Sequence, residues 1–332
     1  MSMAKVLAGD IGGTTTRLGV FESSTPRPRL VAMRTYGTSE FAGIAEMTTA
    51  FLRDVADIAD IDPKARAIDA ACFGAAGPVL NGVATLTNTP IHVDAAAIAS
   101  AVGLPRVWLI NDLEALAYAV PVLSKDEVHV LQEGRANPAG AIAIIAAGTG
   151  LGEAVLYNIN GRPVAKASEG GRADFAARTD RDIIVLRELT RKNGRASIED
   201  VVSGIGLVNI HQAIHTGGCD AKIDFASPDA PAAVSTSALA GRCKACVEAM
   251  DVFVEAYGAE AGNLALRTVA TGGVYIGGGI APKILPVLTS GRFLSAFRAK
   301  APFSPMLDAM PVNVILNAGA GLLGAANFCF LT

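Results

Sequence analysis

The 332-residue chain is poor in the materials from which several protein classes are built. Its five cysteines, Cys72, Cys219, Cys243, Cys246 and Cys329, are odd in number and scattered, which excludes a disulfide-stapled fold and suits a reducing compartment. Charged residues are only 18% of the chain, and Lys plus Arg against Asp plus Glu is 28 − 31 = −3, so there is no polyelectrolyte character. No basic cluster exists that could track a phosphate backbone, and nucleic acid is not an expected partner. The densest positive stretch, Arg187 to Arg195, is interleaved with Glu188 and reads as a solvated helix end. No long apolar run is uninterrupted. Residues 309 to 332 carry no charge, but Asn313, Asn317, Asn327, Pro311, Gly319 and Gly321 predict a buried strand and then a helix, with no membrane span. The first apolar run is too short for a secretion signal, so a cytoplasmic protein is expected.

Metal spacings are also scarce. His211 and His215 stand at i, i+4 without an acidic neighbour in sequence and read as a helix face. Cys243 and Cys246 form C-x-x-C inside the helical pattern Leu239 to Met250, and with no second Cys/His pair close by they are expected to be structural. There is no G-x-x-x-x-G-K-[ST], which excludes a P-loop, and no His-paired Ser or Cys nucleophile stands out.

What the chain has is apolar material, 51% of its residues, enough to offset the entropy of ordering a chain long enough for roughly two domains. Three distant segments share one plan, a short apolar strand followed by a Gly-rich turn. Val6 to Phe21 reads as strand, Gly12-Gly13-Thr14 turn, strand; Ala141 to Tyr157 repeats this around Gly148-Thr149-Gly150; Val274 to Pro282 carries Gly277-Gly278-Gly279, with Pro282 placed to open a helix through Leu288. Helical stretches lie between, among them Phe41 to Ala59, Ala95 to Val102 and Val247 to Leu266. Alternation of this kind predicts an α/β fold of mainly parallel sheets in two similar halves facing across a cleft.

The Gly/Thr turns allow backbone N–H groups to approach an anion closely, and two of them, each closing a hairpin, point to phosphate. A hairpin after the glycines contradicts a dinucleotide fold, where a helix follows at once. Asp10 at the end of a buried strand requires a nearby cation, Mg²⁺ held through water being one possibility and capping of the turn the other. Val107 to Asp112 is an apolar strand ending in Asn111-Asp112, at the strand end where open α/β sheets place chemistry. Asp112 there could take the proton of an attacking hydroxyl while Asn111 fixes a second one, or the pair could cap the helix Leu113 to Ala119; both readings stand. Glu169-Gly170-Gly171-Arg172 and Glu199 supply further polar groups of the kind a sugar needs.

Taken in order, Gly9-Asp10-Ile11-Gly12-Gly13-Thr14, Ala76-Gly77-Pro78, Leu86-Thr87-Asn88, Ile110-Asn111-Asp112, Gly148 to Gly152, Glu169-Gly170-Gly171, Ser203-Gly204 and Gly277 to Ile280 resemble the bacterial ATP-dependent glucokinases of the proteobacterial, non-ROK type, over nearly the whole chain. The resemblance implies a two-domain actin-like, ribonuclease-H-like sugar kinase fold with a central cleft, ATP and Mg²⁺ as cofactors, phosphorylation of glucose at its 6-hydroxyl, and a homodimer. It implies a small domain of residues 1–112 plus about 317–332 and a large domain of 113–316. It also implies Asp112 as base, and Asn88, Asn111, Glu169, Arg172 and Glu199 around the sugar. The ATP site would take Gly9, Asp10, Ile11, Gly12, Gly13 and Thr14 as phosphate loop, with Gly148, Thr149 and Gly150, and Gly277, Gly278 and Gly279 near the adenosine. Three positions depart from the family: Arg172 where it usually has His, Ile91 where it often has Trp, and Thr15 where it often has Asn. Arg172, whose planar fork suits a carboxylate, raises the alternative of a sugar acid such as 2-keto-3-deoxygluconate. A non-catalytic sugar sensor is the third reading, disfavoured by Asp112 and by the absence of a DNA-binding helix-turn-helix before Val6.

Overall fold

A computed structural model describes residues 4–58, 68–86, 91–215, 217 and 219–332. In chain order its elements are β1 Lys5–Ile11, β2 Thr15–Glu22, β3 Arg29–Gly37, α1 Ile44–Asp54, β4 Ala70–Ala75, β5 Val79–Leu80, β6 Val83–Thr85, β7 His92–Asp94, α2 Ala95–Val102, β8 Val107–Asn111 and α3 Asp112–Ala119. There follow β9 Val128–Gln132, β10 Ile142–Ala147, β11 Leu151–Ile159, β12 Arg162–Ser168, α4 Asp180–Asn193, α5 Gly204–Ile214, α6 Ala230–Leu239 and α7 Lys244–Thr268. The last are β13 Gly273–Gly277, α8 Leu285–Leu288, α9 Arg292–Arg298, α10 Ser304–Ala309, β14 Val312–Ile315 and α11 Ala320–Leu331. The chain forms two compact units, Met1–Lys125 with Ile159–Ala167 and Asn317–Thr332, and Asp126–Asn158 with Ser168–Leu316.

In the first unit the sheet order is β3-β2-β1-β4-β8. The apolar run of β1 is paired on one side by the antiparallel hairpin strand β2 and on the other by parallel β4, so Leu7 and Ile11 are fully buried. α11 packs on β1, β4 and α3, which is why the uncharged C-terminus is interior. Its one strongly placed polar group, Asn327, is satisfied by donating to the Tyr118 carbonyl at 2.9 Å. Asn327 thus marks a buried helix, and the expected strand and helix are β14 and α11. The first unit runs past residue 112 to Lys125 because α3 stays packed under α11. It also takes in the arm Ile159–Ala167, where the Ala165 and Ala167 N–H groups donate to the Tyr118 hydroxyl at 3.2 Å and to Glu114 at 3.3 Å.

In the second unit strands run β11-β10-β13-β14-β9, with β10, β13 and β14 parallel. Their apolar faces join α5, α6 and the long α7 in one core that includes the fully buried Tyr257 and Phe293. Local chemistry sets the element ends. Asp94 caps α2 by accepting the Ala96 N–H at 2.8 Å, and Gly103 ends it in the left-handed region at φ 67°. Some sequence expectations are corrected. The pattern Leu239 to Met250 is not one helix, since Gly241 turns the chain at φ 63° between α6 and α7. Pro282 lies in a turn, and the short α8 begins after it with Pro286 in its own first turn. Within the expected helix Phe41 to Ala59, α1 covers Ile44–Asp54 and starts after Gly43, while Ala59 lies outside the described residues. Among the described residues no helix is long and apolar enough to cross a membrane.

Candidate active site

In the first unit the strand register brings the expected residues to one edge. Ile11 pairs with Ala75 and Ala75 with Asn111, so the carboxyl ends of β1, β4 and β8 are level. Asp10 and Asp112 therefore flank β4 on the same edge, two strand spacings apart, roughly 10 Å. The turn Gly12-Gly13-Thr14 is closed by the Gly12 N–H donating to the Thr15 carbonyl at 3.0 Å. It is held from outside by Thr38, whose N–H donates to the Thr14 carbonyl at 2.9 Å and whose hydroxyl donates to the Gly12 carbonyl at 2.8 Å. Thr14 is exposed at the tip, while Gly9 and Ile11 are buried strand residues that support the turn from below. The cation that Asp10 requires is in the chain. Arg17, its cross-strand partner, places Nη1 3.2 Å from Asp10 Oδ2 and 3.3 Å from the Ala318 carbonyl. Burial still holds the Asp10 carboxyl above its ordinary value, against the pull of Arg17. Arg17 engages Oδ2, so a hydrated divalent cation would meet Asp10 through a water on Oδ1.

Asn111 caps α3. Its Oδ1 accepts the Leu113 N–H at 2.8 Å, Glu114 closes the capping box on the Asn111 N–H at 3.4 Å, and Asn111 Nδ2 donates to the Gly77 carbonyl at 3.0 Å. Asp112 is the first residue of that helix, half-buried, with Oδ1 accepting the Leu113 N–H at 3.0 Å. Asn88 lies outside the described residues.

In the second unit the remaining expected residues form one hydrogen-bonded cluster. Gly148 N–H donates to the Gly150 carbonyl at 2.8 Å, leaving Thr149 exposed at the tip, and the Gly148 carbonyl accepts the Gly204 N–H at 2.9 Å from the start of α5. Ser203 caps that helix through Gly206 at 3.0 Å. Gly278, at φ 82°, runs so close to β10 that a Cβ there would lie 2.3 Å from the Ala147 carbonyl oxygen, so only glycine carries the chain past. Gly277 ends β13 buried and Gly279 is exposed beside it. Glu199 accepts the Leu151 N–H at 2.9 Å, donates its own N–H to the Gly171 carbonyl at 2.8 Å, and pairs with Arg172 at 2.7 Å. Glu169 is exposed at the head of the 3-10 turn Gly170–Arg172.

Three supporting residues escaped the sequence reading. Thr38 is one. Tyr257, wholly buried in α7, accepts the Ala147 N–H at 3.1 Å and reaches the Ile145 carbonyl at 3.3 Å and that of Gly277 at 3.5 Å, joining the bases of both glycine turns. Glu153 on β11 lies beneath the Glu169 loop, where a Cβ on Gly170 would meet its carboxylate. Only long-range pairing places these residues, and no local motif signals it.

Residues 7–331 match the family model described as Glucokinase. The chain belongs to the glucokinase family. It is 38% identical to a glucokinase of Nostoc punctiforme, with 98% of each chain covered. Among solved structures, a glucokinase from an Antarctic psychrotroph is 29% identical over 100% of both chains, at a TM-score of 0.85. A ROK family glucokinase from Streptomyces griseus, solved with glucose and AMPPNP, is 21% identical with 98% of this chain and 99% of that one covered, at a TM-score of 0.64; it shares the two-domain actin-like fold. The expected fold class and glucokinase activity stand.

Proposed function

We propose that this glucokinase transfers the γ-phosphoryl group of ATP to the 6-hydroxyl of D-glucose, with Asp112 as general base. The observation that carries the assignment is the level edge of β1, β4 and β8, which sets Asp10 and its turn beside Asn111 and Asp112. Asp112 accepts the proton of the attacking hydroxyl, a role worth about 10²–10⁴ in rate. Asn111 orients a neighbouring hydroxyl with the N–H it has left after serving Gly77. Glu169, Glu199 and Arg172 hold further hydroxyls, as does Asn88. The Gly12-Gly13-Thr14 turn presents N–H groups to the phosphates, Gly148-Thr149-Gly150 assists, and Gly277, Gly278 and Gly279 border the nucleoside. Asp10 would hold Mg²⁺ through water; bound there, the ion neutralises charge on the phosphates.

The Arg172–Glu199 pair supports glucose over a sugar acid. Arg172 is 65% exposed and already compensated by Glu199, so the site offers no spare positive charge to a carboxylate. Placement in the non-ROK branch is part of this proposal, supported by the residue pattern the chain shares with that branch. The same reading has the enzyme working as a cytoplasmic homodimer, which sedimentation would check. The principal test is an ADP-release assay across sugars and sugar acids. Glucose should be the preferred acceptor, and Asp112→Asn should lose about 10²-fold or more in kcat with ATP affinity unchanged. Preference for 2-keto-3-deoxygluconate, or retention of more than about a tenth of kcat in the variant, would overturn the assignment.

A further inference from the structure

The cysteine pair of the C-x-x-C sequence is not alone in space. Cys243 caps the start of α7 and Cys246 sits in its first turn, while Cys219 and His211 reach them from the end of α5 and the segment that follows. One donor atom from each of His211, Cys219, Cys243 and Cys246 falls within a sphere where all four are no more than 4.8 Å apart. We propose that these four residues bind one zinc ion.

The sulfur spacing decides between the chemistries available to clustered thiols. Cys219 Sγ lies 3.5 Å from Cys243 Sγ and 3.7 Å from Cys246 Sγ. A disulfide requires about 2.05 Å. Tetrahedral zinc with Zn–S bonds of about 2.3 Å places its sulfurs about 3.8 Å apart. The observed separations are those of ligands around a shared centre.

The histidine gives a second, independent indication. His211 is buried, 2% exposed, and neither ring nitrogen has a hydrogen-bond partner. A buried imidazole with both nitrogens unserved is costly in an apolar core, and its neighbours Phe225 and His215, with ring centroids at 4.9 and 5.4 Å, offer packing without relieving it. A metal bond to one nitrogen does so. Three thiolates and one imidazole form a closed structural set with no open position, and this soft donor set selects zinc over oxygen-seeking cations. The ion would tie α5 to α7 at the end of α5 opposite Gly204, the residue bonded to the Gly148 turn. Zinc takes cysteine as thiolate, so binding releases protons and affinity falls as pH falls.

The test is metal analysis of untagged full-length protein from zinc-supplemented cells, after passage over a chelating resin. One zinc per chain is expected, and Cys243→Ser and His211→Ala should lose it with a lowered Tm, while Cys329→Ser, outside the cluster, keeps it. Should the ligand variants not fold, wild-type protein stripped and refilled with Co²⁺ decides: thiolate-to-cobalt charge transfer and tetrahedral d–d bands support the site. Wild-type protein that retains no zinc and develops no such bands, or that shows a disulfide among Cys219, Cys243 and Cys246 when purified under reducing conditions, overturns it.

Discussion

Replacing Glu153 with Gln should remove a pH dependence of stability that the fold builds in beneath the Glu169 loop. Glu153 is 1% exposed, and burial together with the negative charge of Glu260 pushes its carboxyl from 4.5 up to about 7, against the partial pull of Arg267. Arg267 serves Glu260 at 2.5 Å and stands 3.6 Å from Glu153, while Asn263 donates to the other Glu260 oxygen at 2.8 Å. Glu260 is thus the better-served carboxylate of the two. Because the folded value lies above the unfolded one, this carboxyl favours the native state fully below about pH 4.5, and that stability is lost as pH rises to about 7. A shift of about 2.5 units at about 1.36 kcal/mol each sets an upper figure of about 3 kcal/mol. Glu153→Gln keeps the shape and stays neutral in both states. Urea unfolding of both proteins from pH 5 to 8.5 isolates the effect, since the two differ by one titratable group. The stability difference should move in favour of the variant up to about pH 7 and then remain flat. Parallel stability curves would refute the reasoning.

Tyr257→Phe leaves the Ala147 N–H unserved in the core, at a cost of about 1–3 kcal/mol, and by loosening the bases of the Gly148 and Gly277 turns it should raise KM for ATP more than KM for glucose; unchanged melting would remove Tyr257 from this role. Arg172→His breaks an ion pair whose arginine is 65% exposed, so stability should change by less than about 1 kcal/mol, and kcat/KM for glucose should be kept or improved. Complete loss of glucose activity in that variant would return the sugar-acid reading. Asn111→Ala removes the cap of α3 and the tether to Gly77, costing about 1 kcal/mol in thermal unfolding and weakening glucose binding; a variant as stable as wild type would show that the cap is idle.

The parts of the fold written in local chemistry were legible. Gly12-Gly13-Thr14 and Gly148-Thr149-Gly150 close hairpins as their glycines predict, and the strand ending at Asn111 feeds straight into a helix. Even the partner of Asp10 had a signal, because a hairpin closed between Gly12 and Thr15 sets residue 10 opposite residue 17. Pairings between elements were not legible. Thr38 on the Gly12-Gly13-Thr14 turn, Tyr257 under both glycine turns, and His211 with Cys219 beside Cys243 all depend on how helices and strands stack, which the period of a sequence does not specify. The C-x-x-C pair reads as structural because no partner stands near it in sequence, whereas its neighbours in space come from α5 and the segment after it.

Asn111 shows a different kind of limit. Read from sequence, Asn-Asp after a strand is either a helix cap or a pair of substrate ligands, and the two readings compete. The observed contacts are those of the cap, and they leave room for the proposed ligand role. One Asn111 oxygen lone pair serves Leu113 and one amide hydrogen serves Gly77, and an amide has two of each. The cap fixes the side chain's rotamer, and a fixed rotamer is what a ligand for a small hydroxyl group needs, since it spares the entropy of ordering that side chain on binding. Asp112 gains in the same way by standing at the first turn of a helix that Asn111 and Glu114 close together. On the proposed function, the capping box would hold a base and a hydroxyl ligand still, so that structural and catalytic readings of the pair support one another.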